Sequence, residues 1–115
     1  MQKVVVIIPT YNEAENISLL INKLQGVFKK VPKKWDMNIL VVDDTSPDGT
    51  SDIVKQKMKE YKNIHIFLNK EKLGLGGAYM KGMLYAIEKL KADVMFEFDA
   101  DFQHDEELIP FFLEK

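Results

Sequence analysis

The sequence predicts an α/β fold: a parallel four-strand sheet with helices on both faces, in the order β-α-β-α-β-α-β. Three observations carry the prediction. Four short apolar runs begin at Val4, Met37, Ile64 and Val94, and the first and last are nearly continuous, as in strands buried on both faces. The segments between them repeat apolar residues at helical spacing. Two of the runs end abruptly in carboxylates, Asp43-Asp44 and Asp99-Ala100-Asp101. In open α/β sheets ligands sit just beyond the carboxyl ends of the strands, so this pattern puts chemistry on one edge.

Taken in order, Val4 to Ile8 is β-branched throughout and is closed by Pro9-Thr10. A helix follows, with Asn12 as N-cap, Glu15 as its capping-box partner, and Ile17, Leu20, Ile21, Leu24 and Phe28 along one face. Lys29 to Lys34 is a charged connection broken by Pro32 and reads as a solvated loop. Met37 to Val42 is the second strand. Thr45-Ser46-Pro47-Asp48-Gly49-Thr50 is dense turn chemistry, and either Asp48 or Thr50 suits the cap of a helix carrying Ile53, Val54, Met58 and Tyr61. Ile64 to Leu68 is the third strand. Leu73 to Gly77 opens a helix whose predicted apolar positions are Ala78, Met80, Met83, Leu84, Ile87 and Leu90, and strand four begins at Val94. Asp105 to Lys115 suits a short helix distorted at Pro110.

Composition narrows the function classes. A chain of 115 residues is one domain. Its 16 basic and 18 acidic residues give a formal net charge of -2, which offers no electrostatic case for nucleic acid. With no cysteine, disulfides and thiolate metal sites are excluded. Pro9 closes the first apolar run too early for a signal-peptide core or a membrane span, so the chain is expected to be soluble.

The strongest candidate site lies after strand four. If the backbone stays extended there, Asp99, Asp101 and the amide of Gln103 share one face and can converge on one ion. Oxygen-only ligands favour a hard cation, Mg2+ or Mn2+, over zinc. His104 adjoins this loop, and Glu97 shares the parity of Asp99, as a partner to the site or as a residue on an exposed part of the sheet. His65, alternating within an apolar strand, reads as structural. Gly74-x-Gly76-Gly77 does not make a dinucleotide fingerprint, because it follows the third strand and lacks the full spacing. The four strand ends, carrying Tyr11-Asn12-Glu13, Asp43-Asp44, Asn69-Lys70 and Asp99-Ala100-Asp101, form a cluster on one edge of a parallel sheet.

Four ordered motifs make the chain resemble the family-2 glycosyltransferases, and among them the polyprenol-phosphate (dolichol-phosphate) mannose synthases. They are Val6 to Glu13, Val41 to Thr50, Lys72 to Gly76 with Ala78-Tyr79, and Asp99 to His104, and together they span the whole chain. Gly77 and Asp105 depart from residues common in the family. The resemblance implies a Rossmann-like GT-A nucleotide-sugar-binding fold and transfer of mannose from GDP-mannose to a polyprenyl phosphate, with inversion. It implies that Pro9, Tyr11, Glu13 and Asp44 line the nucleotide, that Asp99 and Asp101 contact the donor, and that Asp99, Asp101 and Gln103 hold Mg2+ or Mn2+. Asp101 is the catalytic candidate. It further implies a cytoplasmic protein peripheral to a membrane, with residues 1–115 as the donor-binding part of an incomplete catalytic domain. Self-association through the strand at 94–99 is then expected, since family members place further strands beside it. The alternatives are a metal- and nucleotide-binding fragment without turnover and a polyprenyl-phosphate glucosyltransferase using UDP-glucose.

Overall fold

The computed structural model describes residues 2–10, 14–43, 48–69 and 74–97, with side chains undescribed at 74–76, 78 and 79. Its elements are β1 (Gln2–Thr10), α1 (Ala14–Phe28), β2 (Trp35–Asp43), α2 (Thr50–Glu60), β3 (Ile64–Leu68), α3 (Gly74–Glu88) and β4 (Val94–Glu97). The sheet has four strands in the order β3-β2-β1-β4, all paired in parallel. The predicted order of elements is the observed one. The N-cap predicted at Asn12 and the helix predicted over 105–115 lie outside the described residues.

Alternation along β1 and β2 explains their continuous apolar sequence. Val4, Val6, Ile8, Ile39 and Val41 point to one face, against Ile17, Leu20, Ile21 and Leu24 of α1 and Val54 of α2. Val5, Ile7, Leu40 and Val42 point to the other, against Ala86 of α3 and Leu90 just past it. Both central strands are thus covered twice, and the buried polar residues on them, Thr10, Asn38 and Asp43, have internal partners. The start of β4 is tied to the start of β1 by two bonds at 2.8 Å: the Lys3 amide donates to Asp93 Oδ2 and the Asp93 amide donates to the Lys3 carbonyl. That pins the register that pairs Ile7 with Glu97.

Three expectations change. Helix α3 begins at Gly74 itself and ends at Glu88, so Leu90 is buried in the turn beyond it. More consequentially, three of its predicted apolar positions are solvent-exposed: Met80 at 62 %, Leu84 at 49 % and Ile87 at 50 %. The reason is the close approach of the helix to the sheet. A Cβ at Gly82 would lie 2.8 Å from Cγ2 of both Ile7 and Val42, so Gly82 and Ala86 are the residues that let α3 sit down. Bulkier residues are displaced to its flanks. Tyr85 turns toward β3, packing edge-on against Phe67 with ring centroids 5.2 Å apart. Met58 of α2, also expected on a core face, is exposed at 37 %.

At the sheet's margins the sequence reading holds. Glu97 is exposed, at an edge where a carboxylate keeps its water. His65 is half-buried with Nε2 at 3.3 Å from Asn38 Oδ1, and burial, with the Lys3 charge, pushes its pKa down against a smaller opposing pull from Asp36. A neutral structural imidazole fits that setting. Among the described residues no helix is long and apolar enough to cross a membrane.

Candidate functional site

In a β-α-β-α-β-α-β chain with a parallel sheet, the carboxyl ends of the strands and the amino ends of the helices meet on one edge. The chain runs from β1 outward through β2 to β3, then crosses back to lay β4 on the opposite side of β1. This reversal is the topological switch point, and the crevice above β1 and β4 is where a doubly wound sheet binds ligand. The amino ends of α1 and α2 bring the positive ends of their dipoles to the same edge, which suits a diphosphate.

Three strand ends are knotted at Asp43. Thr10 and Asp43 are register partners, and Thr10 Oγ1 donates to Asp43 Oδ1 at 2.9 Å with both residues buried. The amide of Asn69, buried just past β3, donates to the Asp43 carbonyl at 2.9 Å. Of the adjacent carboxylates Asp43 and Asp44, the first is therefore an internal brace. Pro9 is buried in β1 opposite Val42.

A second brace joins the helix starts. Asp48 Oδ1 accepts from the Thr50 amide at 3.1 Å and from Thr50 Oγ1, and Asp48 Oδ2 accepts from the Ala14 amide at 3.1 Å. The residue at the N-cap position of α2 is Gly49, with φ 88, and it makes no side-chain cap. Of the two predicted caps, Asp48 does the work, one residue earlier, and serves α1 as well. The Thr50 hydroxyl, opposed by partial desolvation and aided by the amides of Ala14 and Thr50, holds the Asp48 carboxyl below its ordinary value. Turn chemistry in the sequence signals the local cap, but nothing local signals a partner 34 residues away.

The predicted site residues Tyr11, Glu13, Asp44, Asp99, Asp101 and Gln103, with His104, lie outside the described residues. Their described neighbours are Thr10, Ala14, Asp43 and Glu97. Among the described residues no group of three or more His, Cys, Asp or Glu could hold a metal ion. An open cleft of about 390 Å³ between the carboxyl ends of α1 and α2, lined by Asn22, Gln25, Phe28 and Tyr61, lies at the opposite end of the strands.

Residues 5–115 match the family model described as glycosyl transferase family 2. The chain belongs to that family. This membership makes it a glycosyltransferase-family chain of GT-A fold, as its motifs suggest. It is 41 % identical over 112 residues to the undecaprenyl-phosphate mannosyltransferase of Micrococcus luteus, covering 97 % of this chain and 43 % of the relative. It is 36 % identical over 104 residues to the polyprenol monophosphomannose synthase of Mycolicibacterium smegmatis, covering 90 % of this chain and 37 % of that one. Among solved structures it resembles the mannosyltransferase PcManGT from Pyrobaculum calidifontis in complex with GDP-Man and Mn2+, with TM-score 0.66 and 25 % identity over 85 % of this chain and 27 % of that one. The chain thus spans less than half the length of each of these proteins.

Proposed function

We propose that residues 1–115 form the donor-binding part of a glycosyltransferase that moves mannose from GDP-mannose to a polyprenyl phosphate at a membrane surface, with inversion at the anomeric carbon. The observation that supports this reading is the parallel register of β1, β2 and β4, which sets Thr10 and Asp43, each within a family motif, side by side and runs β4, paired with β1 up to Ile7–Glu97, toward the same edge beside the switch point. Similarity to two polyprenyl-phosphate mannose enzymes favours mannose over glucose and a polyprenyl phosphate as acceptor.

In this reading Pro9, Tyr11, Glu13 and Asp44 hold the nucleotide, with Asp44 toward the guanosine. Asp99, Asp101 and Gln103 hold Mg2+ or Mn2+, an oxygen donor set that suits a hard cation. An ion held there would supply positive charge against the negative charge growing on the departing diphosphate. Asp101 is the catalytic candidate because in this reading it would serve both ion and donor. The acceptor is a phosphate monoester with a second pKa of about 6, so at neutral pH it is largely dianionic and needs no dedicated base. Its oxygen forms the new bond to the anomeric carbon as the bond to GDP breaks, which inverts that centre.

The enzyme is cytoplasmic and peripheral to the membrane. The outer edge of β4 has no strand partner among the described residues, and its Val94, Met95 and Phe96 are half-buried. That edge takes a further strand, from a second copy when the chain stands alone. Calorimetric titration of GDP, UDP and their mannose and glucose conjugates, in Mn2+ and in EDTA, tests the donor assignment. Preference for UDP-glucose would replace it with the glucosyltransferase reading.

A further inference from the structure

We infer that the cleft between the carboxyl ends of α1 and α2 is a docking site for an acidic segment of a partner protein, one that presents an aromatic or long aliphatic side chain flanked by carboxylates. It lies at the end of the sheet opposite the strand ends assigned to the donor.

The cleft is preformed. About 390 Å³ of open space is lined by Asn22, Gln25, Gly26, Phe28, Lys29 and Tyr61. Two cross-braces hold its walls. Lys57 Nζ of α2 donates to Asn22 Oδ1 of α1 at 3.0 Å, and the side-chain amides of Gln25 and Asn63 donate to each other at 2.7 and 3.1 Å. Asn63 Nδ2 also donates to the Met37 carbonyl at 3.0 Å, which ties that pair to β2. Walls fixed in this way need little reordering when a ligand arrives. Phe28 and Tyr61 pack against the core yet are only half-buried, so both rings also wall the cleft. Gly26 is exposed, and a Cβ built there would meet nothing within 4 Å. The volume falls in the range of ligand sites, roughly 300–1,000 Å³, but a cleft this open suits side chains of a segment laid across it better than an enclosed small molecule.

Charge names the occupant. Residues 29–36 and 57–63, the segments that contain Lys29 and Tyr61, carry seven lysines against two carboxylates, Asp36 and Glu60. Glu60 is paired with Lys57 at 3.5 Å. The other six lysines, Lys29, Lys30, Lys33, Lys34, Lys59 and Lys62, are exposed and outnumber Asp36. Each helix carboxyl end contributes only about half a negative charge, so the rim stays positive. The excess is local. Residues 88–93, between α3 and β4 at the same end of the sheet, balance Lys89 and Lys91 with Glu88 and Asp93, and the whole chain has a net charge of -2. An anionic membrane is the poorer occupant. β1 runs nine residues between the two ends of the sheet, about 30 Å, so lipid bound here would hold the donor end far from the polyprenyl phosphate of the proposed function.

The test titrates the 115-residue chain into a short fluorescent peptide rich in glutamate with one central phenylalanine, and into its counterpart with lysine in place of glutamate, read by anisotropy. The acidic peptide should bind and the basic one should not, with affinity falling as salt rises. Gly26→Leu, which puts a side chain into the open space of the cleft, and Lys29→Glu should each weaken binding roughly tenfold or more, the scale of losing one anchor. Lys81→Glu, exposed on α3, should leave it unchanged. No binding of the acidic peptide, or wild-type affinity in either Gly26→Leu or Lys29→Glu, would overturn the inference. So would co-sedimentation of the chain with phosphatidylglycerol vesicles that Lys29→Glu abolishes, because the rim would then serve lipid.

Discussion

The Ala14 amide, at the start of α1, donates at 3.1 Å to Oδ2 of Asp48, a residue 34 positions later that precedes α2. The bond makes the amino ends of two helices into one unit. Since α1 and α2 cover the same face of the sheet, a carboxylate between their positive ends is also favoured by both dipoles.

Its pH dependence follows. The folded-state pKa of Asp48 lies below the ordinary value, so the native state binds this proton less readily than the unfolded chain does. Stability from Asp48 is fully present above the unfolded value of about 3.9 and is lost as pH falls through the folded one. Asp48→Ala should cost about 1 kcal/mol at neutral pH. The deficit should shrink in urea titrations as pH falls below the unfolded value. A deficit independent of pH would mean that the carboxylate's charge contributes nothing.

Two glycines in helices should respond to alanine with opposite signs. At Gly82 an added Cβ meets Ile7 and Val42 Cγ2 at 2.8 Å, and both neighbours are β-branched, buried and stiff. Overpacking of about 1–3 kcal/mol outweighs the helix-propensity gain of about 1 kcal/mol, so Gly82→Ala destabilises. At Gly26 nothing lies within 4 Å, so Gly26→Ala keeps that gain. Thermal midpoints of the two variants moving in the same direction would contradict the packing of α3.

The open edge of β4 and the exposed Met80, Leu84 and Ile87 predict association of the isolated chain. Sedimentation velocity should show dimers or larger species growing with concentration. A clean monomer across the range would remove the β4 edge as a contact.

The fold was legible because continuous apolar strands have one stable setting, covered on both sides, and helical spacing filled the gaps between them. All seven elements follow from those two periods. The face of α3 was not legible. Apolar residues surround that helix, and the choice among faces came from the small side chains of Gly82 and Ala86, a property of fit against β1 and β2 that periodicity does not encode. Near the site, the carboxylate clusters were visible, but the division of labour was not. Asp43 is an internal brace because its register partner is Thr10, and Asp48 bridges helices because α1 and α2 begin side by side. Both facts are tertiary.

The proposed function requires this edge to bind a guanosine diphosphate through a divalent ion, which one titration decides. GDP is titrated by calorimetry into the 115-residue chain in Mn2+ and again in EDTA, with Asp101→Asn and the exposed Lys33→Ala alongside. Binding should appear in Mn2+, disappear in EDTA, weaken strongly in Asp101→Asn and stay unchanged in Lys33→Ala. Equal GDP binding with and without the ion, or full affinity in Asp101→Asn, would contradict it.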